Sequence, residues 1–269
     1  MTPKTRTFGD QIMSRLYSFI FVLFAFISIP KFMIRLSQSG DPKALIKERL
    51  GYLPEELREK MRSQKVVWLH AVSVGEALAV RPWIRDFLIR YPDFWIAFSV
   101  TTPTGYSVAK QMVSERVGVF YAPFDTVSAV RSVISALQPS LILLMETEIW
   151  PNYILEAVRS SIPIGIINGR ISVRAYRRYK MVRPLIASLL KKLSFCFVQS
   201  DRDQNHFLGL GMPAEKIKKT GNIKLDSLAP KALREKSQEF INRFKSDRSM
   251  IWVCGSTHWN EEEILIRVL

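Results

Sequence analysis

The sequence predicts an α/β protein with a mostly parallel sheet covered by helices on both faces. Two observations lead there. Apolar, strand-length runs alternate with amphipathic helical stretches from Val66 onward. The segments that follow those runs are the polar ones, as expected where chemistry collects along one edge of such a sheet. A hydrophobic fraction of 48% over 269 residues is ample for a packed core and argues against disorder.

Residues 1–15 are polar and basic, and Leu16 to Ile29 is almost wholly apolar. The run is short for a full span, and no small-x-small cleavage pattern follows it. An uncleaved anchor over residues 1–36 is the preferred reading, ahead of a buried core helix. Residues 37–64 are rich in Lys43, Lys47, Arg49, Arg58, Lys60 and Arg62, and Gly51-Tyr-Leu-Pro54 divides two short helical stretches. This segment either lies against anionic lipid headgroups or is an ordinary solvated helix face.

Strands are then expected near 66–71, 94–100, 117–121, 140–145, 163–167, 194–198, 217–220 and 250–254. Helices are expected near 76–90, 105–114, 127–137, 151–160, 174–192, 201–209 and 231–245. The first strand runs into Ser73-Val-Gly-Glu76, which places Glu76 in the first turn of a helix. There it serves the helix dipole or a site. Thr101-Thr-Pro-Thr-Gly105 suits a cap or an anion, and Ala122-Pro-Phe-Asp125 follows the third strand. The fourth strand ends in Met145-Glu-Thr-Glu-Ile-Trp-Pro151. On a strand, Glu146 and Glu148 would point to one side and push one pKa up. Asn168-Gly-Arg-Ile-Ser172 puts Arg170 at the same edge, Gln199-Ser-Asp201 reads as a helix cap, and Thr220-Gly-Asn-Ile-Lys-Leu-Asp226 closes the series.

These elements divide into an anchor (1–36), a first domain (37–228), a linker helix (229–248) and the opening of a second domain (249–269). That opening is a strand, then Gly255-Ser-Thr-His258, then an acidic helix start at Glu261-Glu-Glu263. A strand, a Gly-Ser-Thr turn and a helix N-terminus make a phosphate cradle. One strand and one helix cannot close a domain, so the second domain is expected to be cut off at Leu269.

Lys and Arg number 39 against 24 Asp and Glu, for a net charge of +15. Such an excess favours nucleic acid, an anionic membrane surface or a phosphorylated substrate. The basic and aromatic residues are not interleaved for base stacking, which argues against nucleic acid. Cys196 and Cys254 fall in apolar strand-like runs and are expected buried and reduced. His70, His206 and His258 show no metal-ligand spacing.

The motifs His70-Ala-Val-Ser-Val-Gly-Glu76, Glu146-Thr-Glu-Ile-Trp-Pro151, Asn168-Gly-Arg-Ile-Ser172, Gly221-Asn-Ile-Lys-Leu-Asp226 and Gly255-Ser-Thr-His258 resemble, in order and spacing, those of the Kdo (3-deoxy-D-manno-octulosonic acid) transferases of Gram-negative lipopolysaccharide synthesis. The resemblance implies a GT-B glycosyltransferase of two Rossmann-like domains. It would move Kdo from CMP-Kdo to a phosphorylated lipid A precursor (lipid IVA) at the cytoplasmic face of the inner membrane, with inversion and without metal or other cofactor. It implies that Glu76 is the general base and that Lys224 meets the donor's carboxylate or phosphate. Glu148 and Arg170 would line the cleft, with Ser73, Gly75, Glu146 and Asp226 among the substrate-binding positions. Gly255, Ser256, Thr257 and His258 would form the nucleotide domain's first turn. The expected break at Leu269 implies an incomplete enzyme. The alternative is a non-catalytic, membrane-bound lipid-binding module.

Overall fold

The computed structural model describes Tyr17, residues 41–226, Gln238, Trp252, Cys254, Gly255, Thr257 and residues 260–268. The chain divides into two units, Met1–Ser227 and Leu228–Leu269. In the first, helices α1 (Pro42–Arg49) and α2 (Glu55–Met61) precede β1 (Lys65–Ala71), α3 (Val74–Arg90), β2 (Phe94–Val100), α4 (Pro103–Lys110), β3 (Val117–Tyr121), α5 (Val127–Leu137) and β4 (Leu141–Met145). Next come α6 (Pro151–Arg159), β5 (Ile164–Gly169), α7 (Val173–Met181), α8 (Arg183–Leu190), β6 (Phe195–Val198), α9 (Asp201–Gly209), β7 (Ile217–Lys219) and α10 (Ile223–Asp226). The second unit contains α11 (Glu261–Val268).

The seven strands form one sheet in the order β3-β2-β1-β4-β5-β6-β7, with every pairing parallel. Successive side chains point to opposite faces of a strand. Val66 and Trp68 of β1 therefore enter one core layer with residues of α5, α6, α8 and α9. Val67, Leu69 and Ala71 enter the other layer with residues of α3. Trp68, fully buried, donates its indole N–H to Ser99 Oγ at 2.9 Å. His70 shares that hydroxyl, with Nδ1 at 3.0 Å. Burial, and then the Arg49 charge, pull the His70 pKa down to about 3, so the ring is neutral.

The structure corrects several expectations. The helix expected over 174–192 is two helices, broken at Val182, because Pro184 in the first turn of α8 has no N–H to continue α7. Residues 223–226, expected as loop, form the single turn α10. Arg49, counted among the lipid-facing basic residues, is 8% exposed. Its guanidinium donates to the carbonyl of Ala122 at 3.0 Å and to that of Thr101. Beside it, Glu48 accepts the Tyr121 amide at 2.6 Å. Cys196 is buried, but Cys254 is exposed in irregular backbone. The expected strand 250–254, the linker helix 231–245 and the anchor fall mainly or wholly outside the described residues. Among those described, no helix is long and apolar enough to cross a membrane.

Asp125, read from sequence only as part of a polar loop, is 1% exposed and caps α6 from a distance. Its Oδ1 accepts the amides of Asn152 at 3.0 Å and Tyr153 at 3.2 Å. Trp150, at the helix's own cap position, offers no side-chain acceptor. Burial pushes Asp125 up to about 7, against the Tyr17 hydroxyl and the two amides, which favour the charged form.

Asp125→Ala should lower unfolding stability by about 2 kcal/mol, and Asp125→Asn, which keeps the acceptor, by less; urea unfolding of both variants checks this. Burial likewise raises Glu48 to about 7, above its unfolded value of about 4.3. The fold therefore favours the protonated acid. That stabilisation is complete below the unfolded pKa and is lost as pH rises through the folded one. Thermal unfolding at pH 5 and pH 8 should show a higher midpoint at pH 5, and Glu48→Gln should reduce the difference.

Candidate active site at the strand-order switch

β2 and β3 lie on one side of β1, and β4 to β7 on the other. The winding therefore reverses between β1 and β4, and the segments leaving their carboxyl ends diverge. A crevice at such a switch point is where open α/β sheets bind ligands. One wall is the start of α3. Ser73 is its cap: Oγ accepts the Glu76 amide at 3.3 Å and donates to Glu76 Oε1 at 2.9 Å. Glu76 Oε2 accepts the Val72 amide at 2.8 Å. This is a capping box closed one residue early, so Glu76 does hold the helix start. It is also 7% exposed. Burial, foremost, and the charge of Glu146 raise its pKa, against Val72, Ser73 and Lys224. Gly105 brings the start of α4 against this wall. A Cβ there would lie 2.8 Å from Thr102 Oγ1 and 3.7 Å from the Ser73 carbonyl carbon.

The other wall follows β4, which ends at Met145. Glu146 and Glu148 are consequently not on a strand. Glu146 takes a left-handed φ of 53° and turns the chain, while its amide still donates to Ile167 O at 3.0 Å. Burial first, then the charges of Glu76 and Glu146, push Glu148 up to about 7, with the Trp150 indole partly offsetting this. The expected raised pKa is there, but Glu76 weighs more than the neighbour two residues away.

Lys224 reaches this group from β7's side of the sheet: Nζ lies 3.1 Å from Glu146 Oε1. Glu76, Glu146, Glu148 and Lys224 thus come together, and Ser73 caps α3 and braces Glu76. Gly75 is exposed, and a Cβ there would meet Ser73 Oγ at an ordinary 3.9 Å. Arg170 follows β5 at the same edge, yet it is exposed, and its guanidinium makes no ion pair or hydrogen bond among the described residues. Its carbonyl accepts the Thr147 hydroxyl. Asp226 is the last residue of α10. In the second unit Gly255 is exposed, and Thr257 Oγ1 donates to Glu262 of α11, so the hydroxyl expected to meet a phosphate already has a carboxylate. Ser256 and His258 lie outside the described residues. Among those described, no three His, Cys, Asp or Glu residues are placed to hold a metal ion.

Sequence reasoning passed over two residues here. Tyr179 of α7 has its pKa raised by burial and then by the Glu148 charge. Asn168, 4% exposed, accepts the Ile223 amide on Oδ1 at 3.1 Å. The Asn-Gly dipeptide closing β5 was the available signal, since asparagine tolerates the left-handed region. A groove of about 420 Å³ runs between α3 and the ends of β5 to β7, with Trp83, Phe87, Asn168, Phe197 and Ile223 in its walls.

Fold and crevice define a parallel α/β domain with a carboxylate-rich site at its strand-order switch. Residues 44–227 match the family model for 3-deoxy-D-manno-octulosonic-acid transferase (kdotransferase). The chain belongs to that family. It is 34% identical over 201 residues to the 3-deoxy-D-manno-octulosonic acid transferase of Haemophilus influenzae, covering 75% of this chain and 47% of that protein. It is 28% identical over 255 residues to the Chlamydia pneumoniae protein of that name, covering 92% and 56%. The chain spans about half the length of these curated relatives. Among solved structures, UDP-GlcNAc 2-epimerase from Neisseria meningitidis, bound to UDP-GlcNAc, is similar at TM-score 0.46 and 17% identity, covering 68% of this chain and 54% of that one.

The left-handed turn at Glu146 has a testable cost. Glycine lacks the Cβ clash, worth about 1 kcal/mol, whereas alanine keeps it. Urea unfolding should find Glu146→Gly more stable than Glu146→Ala by about that amount.

Proposed function

We propose that this chain is the acceptor-side part of a GT-B glycosyltransferase that moves Kdo from CMP-Kdo to a phosphorylated lipid A precursor. The observation that carries this reading is Glu76: a buried carboxylate with a raised pKa, fixed by Ser73 and the Val72 amide at the mouth of the switch-point crevice. In the reaction, the acceptor hydroxyl oxygen bonds to the anomeric carbon of Kdo on the face opposite the phosphate. The carbon–oxygen bond to CMP breaks, and CMP leaves with the electron pair. The hydroxyl proton passes to Glu76. A carboxylate accepts it best with its pKa moved towards neutral, which burial supplies. Lys224 offers its ammonium to the donor's carboxylate or phosphate by exchanging from Glu146. The Glu76 charge in turn helps to raise the pKa of Glu148. The reaction is inverting and needs no metal.

The basic balance of the chain suits a phosphorylated, acylated acceptor and an anionic bilayer. The reading accordingly places the protein at the cytoplasmic face of the inner membrane, held by residues 1–36. The nucleotide would be bound by a domain that begins near residue 249.

Glu76→Gln separates the two roles of this residue, because glutamine also closes a capping box but does not act as a base. With the chain joined to the remaining half of the Haemophilus influenzae relative, transfer from CMP-Kdo to lipid IVA should fall about 100-fold or more, with the thermal midpoint nearly unchanged. In the unsubstituted enzyme kcat/KM should rise with pH through an acid limb above the usual glutamate range, since only ionised Glu76 accepts the proton. A Glu76→Gln variant that transfers at the normal rate would leave Glu76 as a cap alone.

A further inference from the structure

Asn168 and Glu146 are non-glycine residues in the left-handed region at neighbouring strand ends, with φ of 54° and 53°. Glu146 carries a charge into the crevice. Asn168 carries none, and its contacts are with other loops. Its backbone carbonyl accepts Gln199 Nε2 at 3.0 Å, and its side-chain Oδ1 accepts the Ile223 amide at 3.1 Å across 55 residues of chain.

Ile223 opens α10, and Lys224 follows it. A four-residue helix cannot hold its own geometry, because nucleating a turn costs more than its one or two hydrogen bonds return. Packing alone does not fix its direction. The Ile223 side chain joins the core layer that holds α3, which sets how deep α10 lies. The preceding Gly221 has a φ of 87°, and a Cβ on it would meet nothing within 4 Å. Hydrogen bonds before, within and across the turn orient it. The Thr220 amide reaches Val198 O at 3.0 Å, the Lys224 amide reaches Asn222 Oδ1 at 3.0 Å, and the Ile223 amide reaches Asn168. The first precedes the freely turning glycine and the second lies within the turn itself. The bond to Asn168 ties the turn to the sheet edge beyond Gly221.

We propose that Asn168 is a positioning residue: its side-chain carbonyl ties the start of α10 to the end of β5 and so fixes Lys224 against Glu146, beside Glu76. A role in catalysis rests on the crevice being the transfer site, as proposed above; the tie itself does not.

Two substitutions isolate the tie. Asn168→Gly keeps the left-handed backbone and removes the acceptor. Asn168→Asp keeps both, since aspartate also tolerates this region. In Asn168→Gly, hydrogen exchange at the Ile223 amide should become roughly tenfold faster, as loss of one hydrogen bond allows, and Lys224 should react faster with an amine-acetylating reagent. Asn168→Asp should stay near wild type in both. In the joined enzyme, Asn168→Gly and Lys224→Ala should each lower kcat more than they raise KM. The double variant should be no worse than Lys224→Ala alone, because Asn168 acts through Lys224. Unchanged exchange and labelling in Asn168→Gly would overturn the tie. Additive losses in the double variant would overturn its action through Lys224. Faster exchange and labelling, with transfer untouched in both single variants, would overturn the positioning role by removing the crevice's assignment as the transfer site, while the tie itself stood.

Discussion

One reversal of winding organises this domain. β1 is followed to one side by β2 and β3, and the chain then crosses back to lay β4 to β7 on the other. Only between β1 and β4 do two adjacent strands send their continuations apart. Side chains at that edge stand between two helix starts instead of beneath a loop. Any carboxylate placed there loses much of its water, and burial is the leading cause of the raised pKa at both Glu76 and Glu148. Three carboxylates gathered in such a place need a compensating charge and hydrogen-bond donors. Lys224, Ser73 and the Val72 amide supply them.

Glu76 is a structural cap, and the proposed reaction would give the same side chain a chemical role. Its bonds to Ser73 and Val72 hold one orientation of the carboxylate, so in the proposed reaction no search through rotamers would precede proton transfer. Each carboxylate oxygen has a second lone pair, and the capping bonds leave room for a hydroxyl to approach. Those bonds also favour the charged form, while burial favours the neutral one. The balance between them, rather than either alone, sets the basicity.

The sheet was readable because its strands are apolar runs separated by amphipathic helices, and β1 to β4 fall within a residue of their expected bounds. Glu76 stood out in the sequence through the polar segments that recur along the same sheet edge and through the motif resemblance; its spacing from Ser73 is by itself the signature of a helix cap, which the structure shows it to be. The two segments read as suited to helix caps supply caps at Thr102 and Ser200, and Ser73, Thr126 and Ser172 cap helices as well. What escaped depends on contacts distant in sequence. Asp125 caps a helix 26 residues later, and Asn168 meets an amide 55 residues away. Arg49 looked like surface charge because its partners are backbone carbonyls at the ends of two strands, which leave no mark in composition. The geometry of Glu146 escaped because a glutamate gives no warning of a left-handed turn.

The cover over β3 has a consequence for the domain's solution behaviour. β3 is the last strand on its side of the sheet. α1 and α2 lie against it: Glu48 takes the amide of Tyr121, and the absence of a side chain at Gly118 lets Leu57 and Met61 rest on the strand. At the opposite margin β7 is three residues long and carries Lys218 and Lys219. Short, charged or covered margins are how natural sheets avoid pairing with one another. A fragment begun at Lys65 would keep every strand and the whole crevice, yet would bare the apolar side of β3. Self-association through strand addition would then come on top of what the core loses with Leu53, Leu57 and Met61.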